Sequence, residues 1–143
     1  MDKILIINGP NLNLLGKREV KIYGSMTLKN IMADTEKKIK KQGLKVKLEW
    51  FQSNLEGEII TKIQQAQSGY KSLIINPGGY SHTSVAIHDA LKILTIPIVE
   101  VHLSQLYARE EFRSTLLTGK AATAIMTGLG KDSYALAIIS QFI

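Results

Sequence analysis

Two positions apart stand a carboxylate and an imidazole, Glu100 and His102, closing the apolar run Pro97-Ile98-Val99-Glu100-Val101-His102. Residues two apart on a strand share a face, so the carboxylate can fix the imidazole's tautomer and raise its pKa, which makes a general acid. The same spacing also suits a structural ion pair at a strand end. A phenol, Tyr23, shares a glycine-flanked loop with Arg18, and Arg109 and Arg113 follow the His102 run. A phenol is a poor base by itself, but an adjacent guanidinium favours its phenolate, and Arg18 and Arg109 are the candidates for that task. Without such a neighbour a Tyr-Gly pair in a loop is a packing element.

Neutral amides supply the rest of the inventory. Lys3-Ile4-Leu5-Ile6-Ile7 delivers Asn8-Gly9-Pro10-Asn11, and Ser72-Leu73-Ile74-Ile75 delivers Asn76-Pro77-Gly78-Gly79-Tyr80-Ser81-His82. Ligands of open α/β sheets sit outside the carboxyl ends of the strands, where backbone groups lose their ladder partners. Three apolar runs that end in Asn, His and Glu therefore suggest one shared pocket. Metal chemistry fits poorly, because His82 and His102 lack a third ligand at recognisable spacing. Ser81 and Ser84 lack a nucleophile elbow, and Gly128-Leu129-Gly130 lacks the third glycine of a dinucleotide fingerprint. Acid–base chemistry on a bound anion is what remains.

The elements needed to position these groups alternate regularly. Strands are expected at residues 3–8, 44–51, 71–76, 97–102 and 121–127, with helical periodicity between them and no composition break, hence one domain over 1–143. Thr27 can cap a helix carrying Leu28, Ile31, Met32, Thr35 and Ile39, with Gly43 ending it. Leu44, Val46, Leu48 and Trp50 alternate with charged residues as in an edge strand. The first, third and fourth runs are continuously apolar, as in central parallel strands covered on both faces. A (βα)5 pattern with sheet order 2-1-3-4-5 puts the switch point between strands one and three, which own the two asparagine-glycine-proline ends. Asn8 to Met26 is longer than the 2–6 residues usual for such a connection, so it is expected to act as a lid with Gly16 and Gly24 as hinges, a plain loop being the alternative.

Composition excludes other classes. A chain of 143 residues buries roughly 68–70% of its unfolded surface and needs no staple. With no cysteine, disulfides and thiolate sites are impossible, which suits a reducing, cytoplasmic setting. No leader peptide is expected at Met1-Asp2-Lys3-Ile4, and no apolar run approaches the length of a membrane span. The net charge of +6 lies largely in Lys37-Lys38-Ile39-Lys40-Lys41 and scattered lysines. These lack the interleaved aromatics of a nucleic-acid surface, and a small anionic substrate accounts for the balance as well.

Four blocks carry a family resemblance: Asn8-Gly9-Pro10-Asn11-Leu12-Asn13-Leu14-Leu15-Gly16 with Arg18-Glu19 and Tyr23-Gly24; Gln52-Ser53-Asn54-Leu55-Glu56-Gly57; Ile75 through Ile87; and Glu100-Val101-His102-Leu103-Ser104 with Arg109-Glu110-Glu111-Phe112-Arg113. In this order they closely resemble the type II 3-dehydroquinate dehydratases. The resemblance implies a flavodoxin-like three-layer sandwich, trimers that pack as a homododecamer, and reversible conversion of 3-dehydroquinate to 3-dehydroshikimate without metal or cofactor. By position, it makes Tyr23 the base, with Arg18 and Arg109 lowering its pKa, and His102, paired with Glu100, the acid. Asn11 would stabilise an enolate. Asn76, Leu103 and Ser104 would receive the substrate carboxylate, while His82, Arg113 and Asp89 would meet ring hydroxyls, Asp89 from a neighbouring subunit.

Three positions depart from the usual pattern. Val20 stands where proline often follows Arg-Glu, His88 where arginine often precedes the aspartate, and Ser133 where glycine is common. None removes a chemical group; Val20 is expected to loosen the lid, and His88 to alter a subunit contact. The competing reading is a silent flavodoxin-like module that binds a small anion or a protein partner. Such a module needs the asparagines, arginines and glycines but has no requirement for Tyr23 together with a Glu100-paired His102.

Overall fold

Continuous apolar runs form the strands, and amphipathic segments cross over between them. The computed structural model describes residues 1–143. In chain order the elements are β1 (Asp2–Asn8), α1 (Val20–Tyr23), α2 (Leu28–Lys41), β2 (Val46–Gln52), α3 (Glu56–Gln65), β3 (Ser72–Asn76), α4 (Val85–Ile93), β4 (Ile98–His102), β5 (Ala124–Thr127) and α5 (Asp132–Ile139). The strands make one parallel sheet in the order β2-β1-β3-β4-β5, as the alternation predicts.

Period-two alternation divides the sheet's side chains between two cores. Ile4, Ile6, Ile74, Val99 and Val101 pack under α2 and α5 with Ile31, Ile39, Tyr134 and Ile138. Leu5, Ile7, Leu73, Ile75 and Ile98 pack under α3 and α4 with Ile59, Ile63, Ile87 and Leu91. Both faces of β1 and β3 are therefore dry, which explains why those strands lack a polar alternation. At the edge, β2 is half-buried throughout except for exposed Lys47.

Helix limits follow local chemistry. The Thr27 hydroxyl accepts the Asn30 N–H while Asn30 reaches back to the Thr27 N–H, a reciprocal cap for α2. Gly43 follows the last turn with φ of 72°, as the sequence suggests. The helix expected near Thr83 starts at Val85, because the Ser84 hydroxyl caps Ile87 N–H.

The fifth strand is shorter than the expected 121–127. Residues Gly119–Ala121 form a 3-10 turn instead, with Ala122 N–H bonded to the Gly119 carbonyl. Thr123 then joins the sheet by donating its N–H to Ile98 and accepting the Ile98 N–H on its hydroxyl.

At the carboxyl edge, Gln52, Asn8 and Asn76 stand in register as a polar row above the apolar ladder. The two chains stay together just beyond the strands, where the Gly9 N–H donates to the Asn76 carbonyl at 2.8 Å. A Cβ on Gly9 would lie 2.5 Å from the Pro77 carbonyl oxygen, so only glycine lets the two exits pass this closely.

Candidate active site

The long connection after β1 folds back over this edge. Residues Leu12–Leu14 make a 3-10 turn and α1 makes one helical turn, which delivers Tyr23 to the cleft. Gly16 lies against Ser25 and Thr27, so the two ends of the segment meet. Val20, where proline was expected from the resemblance, is the half-exposed first residue of α1.

Two guanidinium groups surround the phenol in different ways. Arg109, whose side chain is 9% exposed, donates to the Tyr23 hydroxyl at 2.6 Å and to Ser104 Oγ at 3.2 Å. Arg18 makes no such bond but stacks on the ring with its Cζ 4.6 Å from the centroid, and Arg109 Cζ lies 5.1 Å from the same centroid. Glu19 lies 3.9 Å from Arg18 and 3.6 Å from Arg109 and so faces both arginines.

Across β4, Ile98, Glu100 and His102 share the face that packs under α3 and α4, so the strand climbs from core to cleft through a carboxylate. Glu100 is fully buried and its Oε2 lies 2.7 Å from His102 Nε2. The ring is thus held through Nε2, as the two-residue spacing predicts. Ser81 Oγ donates to the same carboxylate at 2.8 Å, and the Thr118 hydroxyl donates to Oε1. Thr118 was missed in the sequence because it lies in an irregular segment after β4 with no motif around it. Ser81 drew attention there only as a nucleophile lacking its elbow.

Asn11, Arg18, Tyr23, Asn76, His82, His102, Leu103, Ser104, Arg109 and Arg113 line one cleft. Asn76 is nearly buried; its Oδ1 accepts the Gly78 N–H and its Nδ2 donates to Tyr134, which leaves one amide proton for a ligand. Asn11 adopts a left-handed backbone, φ 69°, and its N–H is held by Asn54 Oδ1. The loop carrying Leu103 and Ser104 is pinned from β5, since Thr127 Oγ1 donates to the Ser104 carbonyl and accepts the Leu106 N–H.

His82 donates from Nδ1 to the Thr115 carbonyl at 2.8 Å, and its Nε2 is buried without a partner. Burial pushes its pKa below the ordinary value, and the neighbouring His102 and Arg113 act in the same direction against the Thr115 hydrogen bond. A neutral ring with a free Nε2 can accept a hydroxyl proton. Arg113 is bonded to Glu110 at 2.5 Å and stacks on Phe112.

Asp89 is the expected site residue that the chain does not bring to its own cleft. It lies on α4 with its side chain 72% exposed, beside the His88 ring at 3.3 Å. Glu100 touches the cleft only through His102. Ser133, the remaining departure, is fully buried and donates its hydroxyl to the Gly130 carbonyl at the start of α5. Nowhere do three His, Asp or Glu side chains converge as a metal would require, and no helix is long and apolar enough to cross a membrane.

Comparison with known proteins agrees with this architecture over nearly the whole chain. The family model described as Dehydroquinase class II matches residues 2–142. A 3-dehydroquinate dehydratase of Clostridium botulinum (strain Hall) is 49% identical over 138 residues, covering 96% of this chain and 92% of that protein. The crystal structure of the type II dehydroquinase from Butyrivibrio crossotus superposes with a TM-score of 0.94 at 41% identity, covering 99% of this chain and 98% of the other. The type II dehydroquinase of Propionibacterium acnes gives 0.90 at 38% identity, covering 98% and 95%. With its sheet order and these likenesses in agreement, the chain belongs to the class II dehydroquinases.

Proposed function

We propose that this cleft performs the dehydratase reaction by acid–base catalysis, with Tyr23 as base and His102 as acid. The reaction is the reversible loss of water from 3-dehydroquinate to give 3-dehydroshikimate, a hydro-lyase step of the shikimate pathway. Tyr23, as phenolate, takes a proton from the carbon beside the ketone, and the electron pair moves onto the ketone oxygen as an enolate. The enolate then collapses to a double bond and expels the C1 hydroxyl, which leaves as water with a proton from His102, in overall anti geometry. Proton return from Tyr23 and to His102 closes the cycle.

One observation carries this reading: Arg109 donates to the Tyr23 oxygen at 2.6 Å in the cleft where His102 is held by buried Glu100. The guanidinium groups of Arg109 and Arg18 supply the positive charge that a phenolate needs, and Glu100 supplies the negative charge that an imidazolium needs. Asn11 would hydrogen-bond the enolate oxygen. Asn76 and the Leu103-Ser104 segment would take the substrate carboxylate, while His82 and Arg113 would meet ring hydroxyls. No step draws on a metal or cofactor.

We assign residues 1–143 to one catalytic domain and the assembly to a tetramer of trimers, in which Asp89 reaches the cleft of a neighbouring copy. The exposed Val85 and Ile93 on the same helix as Asp89 support packing of α4 against another copy. A composition without cysteine accords with the cytoplasm.

The test is absorbance of the conjugated enone when chelator-treated protein meets 3-dehydroquinate. Rapid product is expected, and Tyr23→Phe should abolish it while leaving ligand binding intact. Near-normal turnover in Tyr23→Phe would remove Tyr23 as base; no product from the folded, assembled protein would favour a silent anion-binding module.

A further inference from the structure

Glu100 is the only acidic residue among the buried side chains, and no lysine or arginine reaches it. A carboxylate in that position stays ionised only if hydrogen-bond donors replace the water it has lost. Otherwise it takes the proton of its one ionisable partner, His102, and the acid of the reaction is gone. The donors beside His102 are two hydroxyls: Ser81 Oγ at 2.8 Å from Oε2, and the closely bonded Thr118 Oγ1 on Oε1. We propose that Thr118, assisted by Ser81, is a positioning residue that keeps Glu100 ionised, so that the proton of the pair resides on His102 and the ring is held for proton donation.

The fold brings this hydroxyl to the carboxylate deliberately from afar. Leu117 and Thr118 donate their N–H groups to the Ser81 carbonyl at 2.7 and 3.4 Å, which ties the segment before β5 to the turn after β3. Thr118 is fully buried, and the chain next to it comes close enough that a Cβ on Gly119 would lie 3.5 Å from Glu100 Oε2 and 2.7 Å from Ile125 Cδ1. Each hydroxyl has one proton. The Thr118 and Ser81 oxygens are 3.2 Å apart, yet both protons are better used on the carboxylate than on each other.

Nothing else facing the pair supplies this function. In the sheet, Glu100 is flanked by Ile75 of β3 and Ile125 of β5. From α4, the buried residues are Ile87, Ala90 and Leu91, and its titratable groups are His88 and the exposed Asp89 and Lys92. The remaining titratable neighbours lie on the cleft side of His102: His82, whose ring centroid is 6.3 Å away, and Arg113, Arg109 and Tyr23 along the wall. His82 and the arginines lie on the cleft side of the ring, away from the two hydroxyls on Glu100.

The inference rests on His102 as the acid, and the experiment separates the two. The pH dependence of kcat is measured for wild type, Thr118→Val, Thr118→Ser, Ser81→Ala and His102→Ala. Loss of a donor to the buried carboxylate should weaken its hold on the imidazolium proton, so the alkaline limb, where the acid must keep its proton, should move to lower pH while the acid limb, set by the base Tyr23, stays. For Thr118→Val, kcat should fall about tenfold or more, with the alkaline limb moving down by about one pH unit. Thr118→Ser, which keeps the hydroxyl, should restore the wild-type limb; Ser81→Ala should move it less. An unchanged alkaline limb in Thr118→Val, with His102→Ala inactive, would overturn this inference alone, as would a Thr118→Ser variant as impaired as Thr118→Val. Full turnover by His102→Ala would overturn the acid assignment and this inference with it.

Discussion

Replacing Arg109 by methionine should slow turnover by about 30- to 1,000-fold, with little change in substrate affinity. The side chain is 9% exposed and its Nη1 donates to the Tyr23 oxygen at 2.6 Å. A hydrogen bond to a charged partner contributes about 1.5–3 kcal/mol, and unit charges ~4 Å apart attract by about 1–4 kcal/mol as the effective dielectric falls from water's to that of a protein surface. The two figures describe overlapping physics, so about 2–4 kcal/mol of phenolate stabilisation is lost, which is the factor above. Arg18 stays, 4.6 Å from the ring centroid, and pulls the expected value toward the lower end. Stability should change little. Methionine retains much of the aliphatic stem, removes a buried Nε without a partner, and leaves Glu19 half-exposed beside Arg18. The assay is steady-state enone formation over a range of pH, with ligand affinity measured by calorimetry. A kcat within threefold of wild type, in a variant of unchanged melting temperature, would refute the role of this guanidinium in activating Tyr23.

Two further outcomes follow from groups beside the cleft. Tyr134 is fully buried, donates to Asn8 Oδ1 and accepts from Asn76 Nδ2, so Tyr134→Phe should cost about 1–3 kcal/mol of stability and raise KM by loosening Asn76; unchanged thermal unfolding and KM would show that the link is idle. His82 has its pKa depressed below 6.5, chiefly by burial, so below that pH the unfolded chain takes up a proton that the folded chain refuses. Its contribution to stability is therefore complete above pH 6.5 and declines as the pH falls toward the folded value. A histidine NMR titration checks this, and a His82 midpoint at or above 6.5 would contradict it.

The order of elements was readable because each signal is local. Apolar runs of strand length separated by amphipathic stretches leave few alternatives, and Thr27, Gly43 and Ser84 punctuate helices by chemistry confined to one turn. The fifth strand was overextended because Ala121-Ala122-Thr123 is compatible with a strand, while the turn it joins is set by its bonds to Thr118 and Gly119. The separate tasks of Arg18 and Arg109 were not readable either. Both were candidates to flank Tyr23, but which of them bonds its oxygen depends on where Arg109, 86 residues along the chain, meets the loop that holds Arg18 and Tyr23.

What the sequence by itself determined is the set of chemical groups and the strand ends that carry them. Asn8, Asn76 and the Glu100–His102 pair follow from strand periodicity, since residues two apart must share a face and the switch point must fall between β1 and β3. What only the tertiary structure decided is which groups are dry and which bonds they make. Burial and hydrogen bonding are sums over distant neighbours: Glu100 is an ordinary strand carboxylate until Ser81, Thr118 and two apolar strands enclose it, and Tyr23 is an ordinary loop phenol until Arg109 reaches its oxygen.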